Sequence, residues 1–224
     1  MPKKPIAITV STNFADVLPR VLQANQGLFA HWYVVTGHQD LETQEILQEY
    51  QDSVTTLLFD FQSLVDTSRP RPWRPRFNKG GALQLAQRRA YQEWPNDWYL
   101  ILDTDIIVRN THDLTLEQLD PQCLYGPKSR FDYRSWHDYQ EHLPWHCRPI
   151  WQESMNVIGC FQLYRHHFVY EDSVDTRNDG EFSLRWPLSR RRCLDITVDH
   201  LGYHEPGVVE NVNGNRVQGN GWLG

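Results

Sequence analysis

The sequence predicts an α/β domain with a mostly parallel central sheet flanked by helices on both faces. Short apolar runs alternate with helical repeats through the first half, and this alternation implies the crossover connections of parallel strands. The 224 residues suit one full-sized domain and are too few for two ordinary ones with a linker. A hydrophobic share of 40%, with nine Trp, ten Tyr and nine Phe, is ample for a core and excludes a disordered chain.

Ile6–Val10 (IAITV) is the first strand, followed by Ser11-Thr12-Asn13. Val17, Leu18, Val21 and Leu22 then recur at helical spacing, Pro19 fits a first turn and Gly27 a stop. Residues 31–36 (HWYVVT) read as a second strand. Asp40 is placed to cap a helix over 41–50, where Leu41, Ile46, Leu47 and Tyr50 form an imperfect stripe. Residues 55–61 form the third strand. Residues 69–79 (RPRPWRPRFNK) hold three prolines, five basic residues and no acid, which demands an irregular loop. Asn78 caps a helix running to Trp94, with Leu83, Ala86, Ala90 and Trp94 on one side. Residues 98–102 (WYLIL) are the most strand-like segment of all. They end at Asp103-Thr104-Asp105, and Ile106–Val108 resumes the apolar run.

The second half is less regular. Residues 129–155 are crowded with Trp, His, Tyr and Arg and show no period. Residues 157–164 read as a strand, 180–186 as a short helix, 193–198 as another strand, and the Gly- and Asn-rich stretch from Gly207 as a surface loop.

Charge and cysteine usage narrow the function. Lys plus Arg is 22 against 28 Asp plus Glu, a net charge of −6, which argues against a general nucleic-acid binder. No run of about 18 apolar residues exists to span a membrane, and residues 1–5 enter the first strand without the apolar stretch of a signal peptide. The four cysteines are scattered with no Cys-x-x-Cys pair. A zinc knuckle is thereby disfavoured, and the expectation is reduced thiols in a cytoplasm.

The strongest chemical feature is Asp103-Thr104-Asp105 at the end of a buried strand. In an extended backbone, residues two apart project to one side, so both carboxylates can address one cation. Hard oxygen ligands suit Mg²⁺ or Mn²⁺, especially one shared with phosphate oxygens. Ligands of open parallel sheets sit beyond the carboxyl ends of strands, where this pair falls. The alternative is a surface turn.

Residues 77–82 (FNKGGA), a helix, and 98–105 (WYLILDTD) together resemble the nucleotide-sugar half of GT-A-fold glycosyltransferases, especially the large family 2. Three further segments match in the family's order. His38-Gln39-Asp40-Leu41-Glu42-Thr43 is similar to its Ser-x-Asp-x-Thr turn, residues 178–185 (NDGEFSLR) to its Glu-Asp-x-Glu-Phe-x-x-Arg helix start, and His200-Leu201-Gly202 to its His-Leu-Gly. The likeness runs over residues 6–202. It implies a single GT-A-like domain, with residues 1–110 as the nucleotide-sugar half and 111–224 as the acceptor side. The implied activity is metal-dependent, inverting transfer from a nucleotide sugar, with a UDP-sugar favoured, to the hydroxyl of a saccharide or another acceptor.

Carried over position by position, the resemblance assigns Asp103 and Asp105 to the metal, and through it to the donor diphosphate. Thr12, Asn78 and Lys79 become donor-binding positions, Lys79 also because a helix N-terminus favours anions. Asp179 takes the place of the general base, with a helix cap as its other reading. His200 becomes an additional metal ligand, against a structural histidine and with His204 as competitor. Two departures stand out. The family's acidic pair after the second strand, which helps recognise uracil, is replaced by Val35-Thr36-Gly37-His38, and its Glu-Asp at the base by Asn178-Asp179. Trp136, Tyr139, Trp145 and Trp151 could stack an acceptor sugar or simply cover the core. Two other functions compete. A binding module that has lost catalysis would tolerate loss of Asp179. A nucleotidyltransferase would carry a Gly-rich signature after the first strand, and VSTNFADVLPR contains no glycine.

Overall fold

The computed structural model describes residues 3–61, 78–109, 115–149, 159–172 and 178–201. Its strands are β1 (Ile6–Val10), β2 (His31–Gly37), β3 (Val54–Phe59), β4 (Tyr99–Leu102), β5 (Ile106–Val108), β6 (Leu124–Asp132), β7 (His146–Pro149), β8 (Phe161–Tyr164) and β9 (Arg191–His200). The helices are α1 (Leu18–Ala24), α2 (Leu41–Gln48), α3 (Lys79–Glu93), α4 (Trp136–Gln140) and α5 (Asn178–Ser183). All nine strands join one sheet in the order β3-β2-β1-β4-β8-β6-β9-β5, with β7 paired to β6. Strands β1 to β4 pair in parallel, as do β6 and β9, while β8, β7 and β5 run against their neighbours. The direction of β1 is therefore shared by most of the sheet.

Two apolar layers cover the sheet because alternate residues of each strand face opposite ways. Ala7, Trp32, Val34, Leu100 and Leu102 pack with Leu18, Val21 and Leu22 of α1 and Leu47 of α2 on one face. Ile6, Ile8, Tyr33, Val35, Tyr99 and Ile101 meet Ala82, Leu83, Ala86 and Ala90 of α3 on the other. This is why β1, β2 and β4 read as continuous apolar runs. Pro19 lies in the first turn of α1, and Asp40 caps α2 by accepting from the Thr43 N–H at 3.3 Å.

Two buried side chains fix the end of the sheet that carries the aspartates. Thr104 donates its hydroxyl to the Val10 carbonyl at 2.8 Å, tying the β4–β5 turn to β1. Asn25, wholly buried after α1, donates to the Ile106 carbonyl at 2.8 Å and accepts from the Val108 N–H at 3.0 Å. It serves β5 as a substitute for a neighbouring strand. Strand β6 went unread in the sequence because Gly126, Pro127 and Lys128 interrupt its apolar pattern; its pairing with β9 is irregular between Pro127 and Ser129. Among the described residues no helix is long and apolar enough to cross a membrane.

Candidate active site

The C-terminal end of β4 gathers charged groups from distant parts of the chain. Lys79, the first residue of α3, reaches the Asp103 Oδ1 at 2.7 Å and the Asp179 Oδ2 at 3.4 Å. The three side chains are 20%, 31% and 26% exposed, so the cluster lies at the surface of the fold with most of its area covered. Burial is the largest influence on Asp103 and pushes its carboxyl up. Lys79 pulls it down, and Asp179 and Asp105 push it up again, for a net rise. Burial lowers Lys79, but Asp103 and Asp179 outweigh it and hold the ammonium well above its ordinary range. Two carboxylates thus share one ammonium.

Asp179 is fixed from behind. Tyr170 places its hydroxyl 3.0 Å from the Asp179 Oδ1, and Gln162 of β8 donates to the Asp179 backbone carbonyl at 3.0 Å. Gly159 makes the room, since a Cβ there would lie 1.9 Å from the Asp179 Oδ2. The antiparallel pairing of β8 with β4 brings this segment to the aspartates, and the Asp103 N–H meets the Cys160 carbonyl at 3.4 Å.

Asp103 and Asp105 take different partners. The backbone between them turns rather than extends, with the Ile106 N–H on the Asp103 carbonyl at 3.3 Å. Asp105 is buried, and its Oδ2 lies 3.3 Å from the His200 Nε2. Register explains the meeting: His200 pairs with Ile106 on one side and with Asp132 on the other. Its Nδ1 is 2.8 Å from the Asp132 Oδ1. Burial lowers His200, yet Asp105 and Asp132 outweigh that and push it up to about 9, so the imidazole is a cation donating to both carboxylates at neutral pH. Burial pushes Asp132 up, but His200, Arg130 and Arg148 draw it below its ordinary value. Arg130 sits 2.9 Å and Arg148 3.3 Å from it.

The other expected positions divide. The Thr12 and Ser11 hydroxyls, at the end of β1, are buried without a hydrogen-bond partner among the described residues. Such groups are rare unless something binds them. Asn78 is consumed by structure: its Oδ1 accepts from the Gly81 N–H at 2.8 Å and its Nδ2 donates to the Asp172 Oδ1 at 2.5 Å. Asp40 does more than cap, for its Oδ2 also accepts from the Asn13 N–H at 2.9 Å and the Thr36 hydroxyl at 3.2 Å. Asn13 is held at a φ of 60° there. Of the aromatic segment, Tyr133, Trp136 and Tyr139 pack against the core, whereas Trp145 is 40% exposed with Arg134 stacked 4.4 Å over its ring. Trp151, His204, Gly202, the tail from Gly207 and all of the basic loop before Asn78 lie outside the described residues.

Carboxylate oxygens beside an imidazole are donor types that Mn²⁺ or Mg²⁺ accepts. Asp103 and Asp105 supply hard oxygens, and Asp132 holds the His200 Nδ1 as outer carboxylates hold ligating histidines, while the His200 Nε2 is taken by Asp105 and the Asp103 carboxylate by Lys79. Among the described residues no three His, Cys, Asp or Glu side chains converge as a ready-made shell, because Asp103 faces Lys79 while Asp105 faces His200.

No family model and no curated protein matches this sequence. Solved structures do. Glucosyl-3-phosphoglycerate synthase from Mycobacterium tuberculosis, in complex with uridine diphosphate, matches with a TM-score of 0.54 at 14% identity, over 92% of this chain and 74% of that one. The chain has a GT-A-like fold. Glycosyltransferase GlyE of Streptococcus pneumoniae TIGR4 matches with a TM-score of 0.43 at 12% identity, over 86% of this chain and 45% of that one. A 4-diphosphocytidyl-2C-methyl-D-erythritol synthase matches with 0.48 at 11%, over 91% and 90%.

Proposed function

We propose that this chain is a glycosyltransferase of the family 2 type, moving a sugar from a nucleotide-sugar donor to the hydroxyl of a saccharide or other acceptor with inversion. The observation that carries the reading is the convergence of Lys79, Asp103 and Asp179 beyond the carboxyl end of β4, from segments up to 100 residues apart. Uridine diphosphate held by the mycobacterial synthase of like fold favours a UDP-sugar. A module that only bound sugar would tolerate loss of Asp179, which this chain retains.

In this reading Asp179 takes the proton of the acceptor hydroxyl, its Oδ2 facing the cluster and its Oδ1 held by Tyr170. Lys79 offers its ammonium to the donor phosphates, at a helix N-terminus that itself favours anions. Asp103, Asp105 and His200 are the residues that would hold Mn²⁺ or Mg²⁺. The chemistry supplied by such an ion would be neutralisation of the charge that develops on the leaving diphosphate. The Ser11 and Thr12 hydroxyls serve the donor nucleotide. The acceptor enters from the 111–224 half, where Trp145 is partly exposed beneath Arg134. We place the protein in the cytoplasm on its scattered cysteines, with peripheral membrane contact only through a lipid-linked acceptor.

A thermal-shift screen of nucleotide sugars with and without Mn²⁺ tests the reading. A donor at about 100 times its Kd stabilises by about 2.7 kcal/mol, which in a domain of this size raises Tm by roughly 5–10 °C. Failure of every nucleotide sugar to raise Tm, with or without Mn²⁺, would overturn it.

A further inference from the structure

We propose that Tyr170 is a positioning residue for Asp179, its hydroxyl proton turning between the Asp179 Oδ1 and the Gln162 Oε1 as the carboxyl loses and gains the acceptor's proton. The inference rests on the reading of Asp179 as the base. Tyr170 is held by ring and backbone alike. It is 1% exposed, its ring stacks on Phe182 at 4.3 Å, and its N–H donates to the Gln87 Oε1 at 2.7 Å. Its carbonyl accepts from the Gln84 Nε2 at 2.9 Å.

The phenol oxygen lies between two acceptors. The Asp179 Oδ1 is 3.0 Å away, and the Gln162 Oε1 is also within hydrogen-bond reach. Gln162 cannot present its amide nitrogen instead, because that nitrogen donates to the Asp179 backbone carbonyl at 3.0 Å. A phenol has one proton, so only one of the two contacts is a donated hydrogen bond at any moment. While Asp179 is ionised, the proton turns to the carboxylate, since a charged acceptor makes the stronger bond. Once Asp179 holds a proton on Oδ2, its Oδ1 is a weaker acceptor and the phenol turns to Gln162. The phenol ring keeps its stack on Phe182 while the proton turns, so both charge states of the base are served from one ring position.

The proton count closes. The acceptor O–H proton bonds to the Asp179 Oδ2 while the acceptor oxygen bonds to the anomeric carbon, and the bond from that carbon to the diphosphate oxygen breaks with its electron pair. Tyr170 keeps its own proton throughout. Burial first, then the Asp179 charge, push its phenol well above the ordinary value, so it does not serve as an acid.

Tyr170→Phe keeps the ring and its stacking on Phe182 and removes only the hydroxyl. The expected result is a fall in kcat of about tenfold, the loss of one hydrogen bond to a charged group, with the KM of the donor unchanged. In an Asp179→Asn background the same change should have no further effect on kcat, because the hydroxyl acts through the carboxylate. Gln162→Met removes the second acceptor together with the amide donor to the Asp179 carbonyl; it is read in the same two backgrounds if Tyr170→Phe fails to fold, and a loss of kcat that persists in full in Asp179→Asn overturns the proposal. Wild-type kcat in Tyr170→Phe beside a crippled Asp179→Asn would overturn this proposal alone, as would losses that multiply in the double variant. Wild-type turnover in Asp179→Asn would remove the base reading and this proposal with it.

Discussion

Asp179→Asn separates proton transfer from every structural duty of the residue. An amide keeps the shape beside Gly159, still accepts from Tyr170 through its Oδ1, and leaves the backbone carbonyl to Gln162. What it loses is charge. At 3.4 Å and an effective dielectric near 20, the attraction between Asp179 and Lys79 is roughly 5 kcal/mol. Most of that is offset, because Asp179 also repels Asp103, which holds the same ammonium more closely at 2.7 Å. With about a quarter of the side chain in solvent, the net cost should be about 1 kcal/mol, or roughly 2–4 °C in Tm for a chain of this size. Loss of a general base costs on the order of 10²–10⁴ in turnover, which is about 2.7–5.4 kcal/mol of barrier. The two readouts therefore separate cleanly. Nucleotide release measured under saturating donor should collapse while Tm and calorimetric donor affinity stay near wild type. Sugar transfer at close to the wild-type rate would refute the reasoning and leave Asp179 as a helix-start residue. A product that keeps the donor's anomeric configuration would refute single displacement itself.

Three further outcomes follow from the same geometry. Asp103→Ala and Asp105→Ala should each abolish Mn²⁺-dependent donor binding with the fold retained; donor affinity that is equal in EDTA, or unchanged in Asp105→Ala, refutes the metal assignment. Lys79→Ala should weaken nucleotide-sugar binding, with the loss shrinking at high salt because the contact is electrostatic, and an unaltered Kd at low salt refutes the phosphate role. Thiol labelling at pH 8 should modify exposed Cys147 quickly and spare Cys160, which is buried and pushed up to about 12, first by burial and then by Asp103 and Asp179. Because the shift is upward, the reactive thiolate forms only as pH approaches that value; prompt labelling of Cys160 would show that the segment behind Asp103 opens.

The elements legible in the sequence are those whose signal is local. The apolar runs of β1, β2 and β4, the Asp40 and Asn78 caps and the Leu83, Ala86, Ala90 stripe each depend on neighbours within a few residues, and the structure reproduces them. Asp103 and Asp105 stood out for the same reason, as charge interrupting an apolar run. The local rule failed over Asp103 to Ile106, where a turn replaces extended backbone and sends the carboxylates to different partners. Strand β6 was illegible because its Gly and Pro mimic a loop, and pairing on both sides overrides that preference. Gln162 carried a faint signal, a lone amide in the apolar FQLY strand, which implies a buried partner without naming it. Asp132 and Tyr170 carried none.

Sequence alone determined the α/β class, the caps and the placing of two acids at a strand end, because hydrophobic periodicity and side chain to backbone hydrogen bonds act over one turn or one strand. Tertiary structure decided who faces whom. Lys79 meets Asp179 across 100 residues, and His200 meets Asp132 across 68. These contacts follow from sheet order and register, which arise from burying both faces of the whole sheet at once and leave no mark on any short stretch of chain.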